Sequence, residues 1–299
     1  MNQPIAERAA APAQQRTAAR TRRVAGRLLA HALLVVVAVL FAVPFLWLVI
    51  TSLKQKSQVF TEPLVWIPDP VMWSNYPKAL TTPGFPYLRL LANTTFYAIT
   101  STLGMVLSSA VVAYAFARMT FRGRDALFGI TLATMMLPGI VTLIPTYVMF
   151  RVFGWVGSYA PLVVPMWFGG AFNIFLLRQF MMTIPLDLTD AARVDGASDL
   201  IILWRVMVPL IRPALIVVGL FHFLYTWNDF MGPLIYLDEV AEVPLVLGLY
   251  TFRGRFGGSV EWQLMMAATM AVIAPIVALF FVAQRYFIEG VTLTGLKGA

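Results

Sequence analysis

The chain has no cysteine and only two histidines among its 299 residues. The first absence excludes disulfides, thiol catalysis and cysteine metal sites. His31 and His222 both lie inside apolar runs, so a histidine-based metal cluster is excluded too. Charge is scarce: 12% of residues are charged and 60% are hydrophobic. Several apolar stretches are long enough to cross a bilayer's hydrocarbon core, which takes about 20 residues, and a soluble globular protein is thereby excluded. No G-x-x-x-x-G-K-[ST] run occurs, so the chain does not carry a P-loop ATPase site. The net charge is +8. In so apolar a chain the basic residues set membrane orientation and do not signal nucleic acid.

What is present is an all-α, polytopic pattern. Uncharged runs predict six spans: Leu28 to Ile50, Leu90 to Ala117, Ala126 to Phe150, Tyr159 to Leu177, Ile211 to Met231 and Trp262 to Gln284. Pro44, Pro138, Pro145 and Pro275 fall inside these runs and predict kinks. Residues 1–27 read as a disordered basic tail, not a cleavable signal peptide. Residues 28–299 read as one transmembrane domain. With the N-terminus inside, six crossings put fifteen of the 22 Lys and Arg on the cytoplasmic side and seven outside, which favours N-in and C-in. Two long outer loops follow, about 51–89 and 232–261. The second holds an apolar piece, Val243 to Phe252, too short to span and read as re-entrant or interfacial.

The segment that interrupts this pattern is DAARVDGASDLIILWRVMVPLIRP, from Asp190 to Pro213. The orientation places residues 186–210 in the cytoplasm. Pro185 suits a helix start, and Leu188 to Val194 reads as a short helix whose Ala191 and Ala192 present a low profile. Gly196 permits a sharp bend. Ser198 or Asp199 is placed to cap a second short helix that Pro209 stops. The pattern predicts two short helices joined at a glycine elbow. By itself it fits an amphipathic connector at the headgroup level as well as it fits a docking site.

The spacing carries a resemblance. Asp190-Ala191-Ala192, three residues, Gly196, nine residues, then Val206-Met207-Val208-Pro209 resembles the Glu-Ala-Ala loop of bacterial ABC importer permeases. Asp190 replaces the family's Glu, Val206 its Ile and Val208 its Leu. AYAFAR (113–118), MLPGIVTLIPTYVMF (136–150), LLRQFMMTIP (176–185) and RYFIEGVTLTGLKG (285–298) are similar to the carbohydrate-uptake branch, and the six-helix maltose-transporter type in particular. The resemblance implies a transport subunit, not an enzyme, in the bacterial inner membrane, forming half of the pathway for a di- or oligosaccharide. It implies that Asp190, Ala191, Ala192, Asp195, Gly196, Ala197, Val206 and Pro209 form the surface that meets the ATPase. It implies as partners a homologous permease, two ATPase subunits that hold ATP and Mg²⁺, and an extracytoplasmic sugar-binding protein; this chain itself holds no cofactor. It also places Tyr250, Arg253, Gly254, Arg255 and Glu261 in a loop that touches the binding protein, although a passive connector fits those residues too.

Polar residues within the spans are the candidates for touching substrate. Trp227, Asn228 and Asp229, with Tyr225 nearby, suit a sugar ring and its hydroxyls. Equally, Asp229 fits a charge at the outer interface and Trp227 an interfacial anchor. Asn173 and His222 fit either the pathway or a hydrogen bond to a neighbouring helix. The rival function is an ion-coupled secondary transporter of a small polar solute. That function needs carboxylates or broken helices at mid-membrane, and Asp229, near a span end, is the lone carboxylate available. A lipid enzyme needs a nucleophile–base or metal constellation that the sequence does not offer.

Overall fold

The computed structural model describes residues 13–239, 242–252 and 260–295, and every element among them is helical. Helix α1 (Ala13–Ser52) begins well before the first apolar run. Residues 13–27, expected as part of an unstructured tail, continue the helix backwards, because Ala, Gln and Arg all favour it. A segment with one 3₁₀ turn (Lys56–Gln58) leads to α2 (Asn75–Leu80) and then α3 (Tyr87–Arg118). Next come α4 (Arg124–Thr134), α5 (Gly139–Val152) and α6 (Ala160–Val163), which runs into a 3₁₀ turn (Val164–Phe168). Helix α7 (Ala171–Met182) precedes the elbow helices α8 (Leu186–Val194), α9 (Asp199–Ile202) and α10 (Val208–Leu210). The chain closes with α11 (Arg212–Trp227), α12 (Met231–Tyr236), α13 (Leu245–Phe252) and α14 (Trp262–Gly295).

Among the described residues four stretches are long and apolar enough to cross a membrane, and two bent pairs bring the number to as many as six. The expected third span, Ala126 to Phe150, is not one helix. It breaks before Pro138 and the halves α4 and α5 lie 99° apart. Pro138 lacks an N–H and disfavours helix at Leu137, which explains the break. The expected fourth span is interrupted at Gly169, which takes φ +84 between the 3₁₀ turn and α7. Pro209 does not stop the second elbow helix. A π turn over Leu203–Met207 widens the helix there, and the chain stays helical through Leu210. The bend comes one residue later, at Ile211, and turns α11 by 82°.

Helix α3 is the hub: it packs against α7, α11, the Val164–Phe168 turn, α6 and α13. Glycines make the close approaches possible. At Gly104 a Cβ would sit 2.6 Å from the Trp167 indole, and at Gly248 a Cβ would sit 2.5 Å from Leu90. The second contact settles the Val243 to Phe252 piece. As α13 it lies against α3 and α14, with Leu245, Leu247 and Phe252 in the core and the Leu245 N–H donating to Thr94 Oγ1 at 2.7 Å. Helix α1 packs on α14, yet the apolar stretch Val24–Ser52 buries none of its most apolar window. Just past its end Lys54 is fully buried over the Trp47 ring, 4.3 Å from the centroid, with no hydrogen-bond acceptor for Nζ. Burial pushes its ammonium pKa down.

Candidate functional site

The elbow is built by its backbone. Pro185 is extended and starts α8. At the other end the Ala197 N–H reaches back to Ala192 O (2.9 Å) and the Gly196 N–H to Arg193 O (3.0 Å), while Gly196 takes φ +81. This pair of bonds is a Schellman closure, and its left-handed residue favours glycine. Among the described residues, its two chain neighbours aside, nothing lies within 4 Å of where a Gly196 Cβ would be. Asp190, Ala191, Asp195, Gly196 and Pro209 are exposed. Ala192, Ala197 and Val206 are half-buried and pack on the cluster of Ile202, Leu203 and Met207 beneath them.

Neither Ser198 nor Asp199 caps α9 through its side chain. Asp199 faces another way: its Oδ1 accepts from Tyr114 Oη on α3 (2.9 Å) and from Arg193 Nη2 on α8 (3.2 Å). Arg193 also donates to Asp190 Oδ1 (3.1 Å) and to the Arg118 carbonyl (3.4 Å). The bond to Asp199, first of all, raises the Arg193 pKa above its ordinary value, so the guanidinium stays charged at physiological pH. Behind it the buried Arg118 guanidinium donates to the carbonyls of Met181 and Ile184, at the corner between α7 and α8. Arg178 donates to Phe116 O (3.3 Å) and lies 4.2 Å over the Phe128 ring.

The motifs that contain Tyr114, Arg118 and Arg193 assign those residues no role, and Asp199 reads in the sequence only as a helix cap. Tyr114 and Arg118 stand four apart near the end of a span, the one local sign that a polar face is presented there. Arg118→Met is expected to lower stability by about 2 kcal/mol, because two buried carbonyls lose a charged donor. Thermal unfolding in detergent checks it, and Arg118→Lys is expected to recover only part, having a point charge in place of a fork.

The polar residues of α11 separate. Trp227 is 3% exposed, its ring tilted 30° to that of Phe223 at 5.4 Å, with Nε1 lacking a partner. It is a core residue, so neither an interfacial anchor nor an exposed sugar platform describes it. Asp229 accepts from Tyr97 Oη on α3 (2.8 Å) and from the Gly232 N–H at the start of α12 (3.1 Å). Both carboxylate oxygens are engaged in joining three helices. Asn228 bonds to Leu224 O of its own helix. His222 is 8% exposed with Nε2 unpartnered, and its ring lies 6.1 Å from that of Tyr225, which is 66% exposed. Asn173 is half-buried on the first turn of α7, beside the break at Gly169 and Gly170. The sequence sign of that break is the pair of adjacent glycines within an apolar run.

Between α12 and α14 Tyr250 is exposed and meets Phe230 edge-on at 5.1 Å. Glu261 is paired with Lys56 (3.1 Å) and Gln263 (3.2 Å), which ties the segment after α1 to the one before α14. Arg253, Gly254 and Arg255 lie outside the described residues. No group of three or more His, Asp or Glu able to hold a metal occurs among the described residues.

Residues 106–292 match the family of binding-protein-dependent transport system inner membrane components. The chain belongs to that family. The permease is 29% identical over 264 residues to the sn-glycerol-3-phosphate transport system permease protein UgpE of Yersinia enterocolitica, covering 87% of this chain and 94% of the relative. It is also 29% identical to the arabinooligosaccharides transport system permease protein AraQ of Halalkalibacterium halodurans, covering 88% and 93%. A chain of a bacterial ABC transporter involved in the import of the acidic polysaccharide alginate superposes with a TM-score of 0.80 at 25% identity, over 90% of this chain and 98% of that one. The permease is therefore a multi-pass inner-membrane transport subunit, and its relatives are named as transport permeases and not as enzymes.

Proposed function

We propose that the permease forms half of the translocation pathway of an ATP-driven importer for a carbohydrate of the di- or oligosaccharide class, and that its elbow meets a separate ATPase subunit. The observation that carries this is the Gly196 turn: a left-handed corner facing open space, flanked by the exposed Asp190, Ala191 and Asp195. Such a corner leaves room for the close approach of a partner surface. Ala192, Ala197 and Val206 support it from within, and Pro209 completes the face. The cargoes named for the relatives are a glycerol phosphate, arabinooligosaccharides and alginate, all polyhydroxylated, which favours a sugar over other small solutes.

A homologous permease supplies the other half of the pathway. Two ATPase subunits hold ATP and Mg²⁺, and an extracytoplasmic binding protein delivers the sugar, touching the outer loop around Tyr250 and Glu261. ATP drives the cycle only by binding the two pathway conformations with unequal affinity. Asn173, Tyr225 and Asn228 face the pathway in this reading, with the buried His222 beside Tyr225. Trp227 and Asp229 shape its wall from behind. The rival, an ion-coupled carrier, loses its lone candidate carboxylate, because both oxygens of Asp229 are committed to Tyr97 and Gly232.

Purification of the tagged permease from native membranes is the test. It is expected to bring an ATPase and a second permease, with hydrolysis stimulated by a binding protein whose ligand is found by thermal shift against maltotriose, arabinotriose and glycerol 3-phosphate. Active transport by a preparation with no ATPase would sink the proposal. Orientation has its own check, which the cysteine-free sequence makes clean. Ile67→Cys, on the outer loop, is expected to react with a membrane-impermeant maleimide in intact spheroplasts. Val194→Cys, on the elbow, is expected to react only after lysis. Both side chains are exposed, so access and not burial decides the result.

A further inference from the structure

Helices α8 and α10 connect the elbow covalently to α7 and α11, but α3 has no chain connection to it. The Arg118 end of α3 reaches the elbow only through side chains. Tyr114 Oη donates to Asp199 at 2.9 Å, and Arg193 joins Asp199, Asp190 and the Arg118 carbonyl within 3.1–3.4 Å. These groups span α3, α8 and α9 and close the gap across the Asp195–Ser198 turn. The ion pairs are about half exposed. Pairs of that kind add little to stability in high dielectric. Their geometry is another matter: one carboxylate oxygen receives both a phenol from α3 and a guanidinium from α8, which fixes three elements relative to one another. Arg118 grips the same corner from behind through Met181 O and Ile184 O.

We propose that Tyr114, Arg193 and Asp199 are positioning residues that latch the elbow to α3, so that displacement of the elbow moves α3 with it. Because α3 packs against α7, α11 and the Val164–Phe168 turn, it distributes that displacement through the helical core. The latch rests on the reading of the elbow as the ATPase contact. It adds that the push reaches a helix to which the elbow is not covalently joined.

The test uses the whole transporter in nanodiscs, with spin labels on cysteines at Val194 on the elbow and Val111 on α3, both exposed positions. Their separation is measured without nucleotide and after trapping with Mg-ATP and vanadate. In the otherwise native chain one narrow distance is expected in both states. In the Tyr114→Phe, Asp199→Asn variant, trapping is expected to create a second population, displaced by about one helical turn, ~5 Å, while basal vanadate-sensitive hydrolysis continues and its stimulation by the binding protein is lost. A further variant restores the link: Tyr114→Cys with Asp199→Cys, joined by a short bismaleimide, its stimulated hydrolysis compared before and after linking. Recovery on linking supports the latch. An unchanged distance in the first variant overturns it, as does a distance that shifts on trapping in the native chain. Loss of the ATPase subunit from that variant also overturns it, since the contacts would then build the docking face and not transmit its motion. Absence of any ATPase from the native preparation overturns the importer reading itself, a result read before labelling.

Discussion

Gly196→Val is expected to strip the ATPase from the purified transporter and abolish ATP-dependent uptake, while the permease still inserts and folds. Two costs arise at one position. Gly196 holds φ +81 to close α8, and a β-branched residue there adds roughly 1–2 kcal/mol of backbone strain. That strain falls on an exposed turn whose added side chain points into open space and away from the cluster under Ala192 and Ala197, so it does not unfold the chain. The second cost appears only in the assembly. Among the described residues, its chain neighbours aside, no atom lies within 4 Å of an added Cβ, so the collision is with the partner. A clash worth about 1.4 kcal/mol weakens association about tenfold, and each further increment of that size does so again. Gly196→Asn separates the costs, because asparagine tolerates the left-handed region yet still projects a side chain into the open space. The ATPase retained by the tagged permease, measured by quantitative blotting, is expected to fall for both variants, by at least about tenfold for valine. If Gly196→Asn retains its ATPase and its stimulated hydrolysis in full, the docking face lies elsewhere.

The elbow is legible in the sequence because its constraints are local. A proline, an alanine pair and a glycine at fixed spacing fix helix starts and ends through backbone sterics alone, and α8 and the Gly196 turn fall where that spacing puts them. The latch is not legible. Tyr114 and Asp199 are 85 residues apart, and nothing in either neighbourhood specifies the other. The span near Pro138 shows the opposite failure. Hydropathy reports only that residues 126–150 are apolar, and the 99° turn between α4 and α5 is decided by one missing N–H and one steric clash. Pro209 misleads for a related reason: a π turn just before it accommodates the ring. Trp227 and Asp229 resemble a sugar platform because an indole beside a carboxylate suits one. Whether they face a pathway or a core depends on Phe223, Tyr97 and Gly232, which only the packing brings to them.

The largest stability effect is expected at Gly104. Its position on α3 would place a Cβ 2.6–2.7 Å from three indole carbons of Trp167. Those atoms belong to the ring's rigid body, so no terminal rotation relieves the overlap, and the indole or the helix must move. The indole sits on the 3₁₀ turn that ends at Gly169, whose backbone lies near Ser108 and Ser109 of α3. Ser109 Oγ accepts the Gly170 N–H at 3.3 Å. Moving Trp167 therefore strains the side-chain bond that satisfies the broken backbone at Gly170, and an unsatisfied amide is costly within a membrane. Overpacking of this kind costs about 1–3 kcal/mol, so Gly104→Ala is expected to lower the detergent melting temperature by about 5 °C, and Gly104→Leu by more. Trp167→Leu alone is expected to destabilise by leaving a cavity. Combined with Gly104→Ala it is expected to cost less than the two changes summed, because the added methyl occupies space the indole has left. Additive melting shifts in the double variant would mean that Gly104 and Trp167 do not share that space. The break at Gly169 would then be held by something other than its fit against α3.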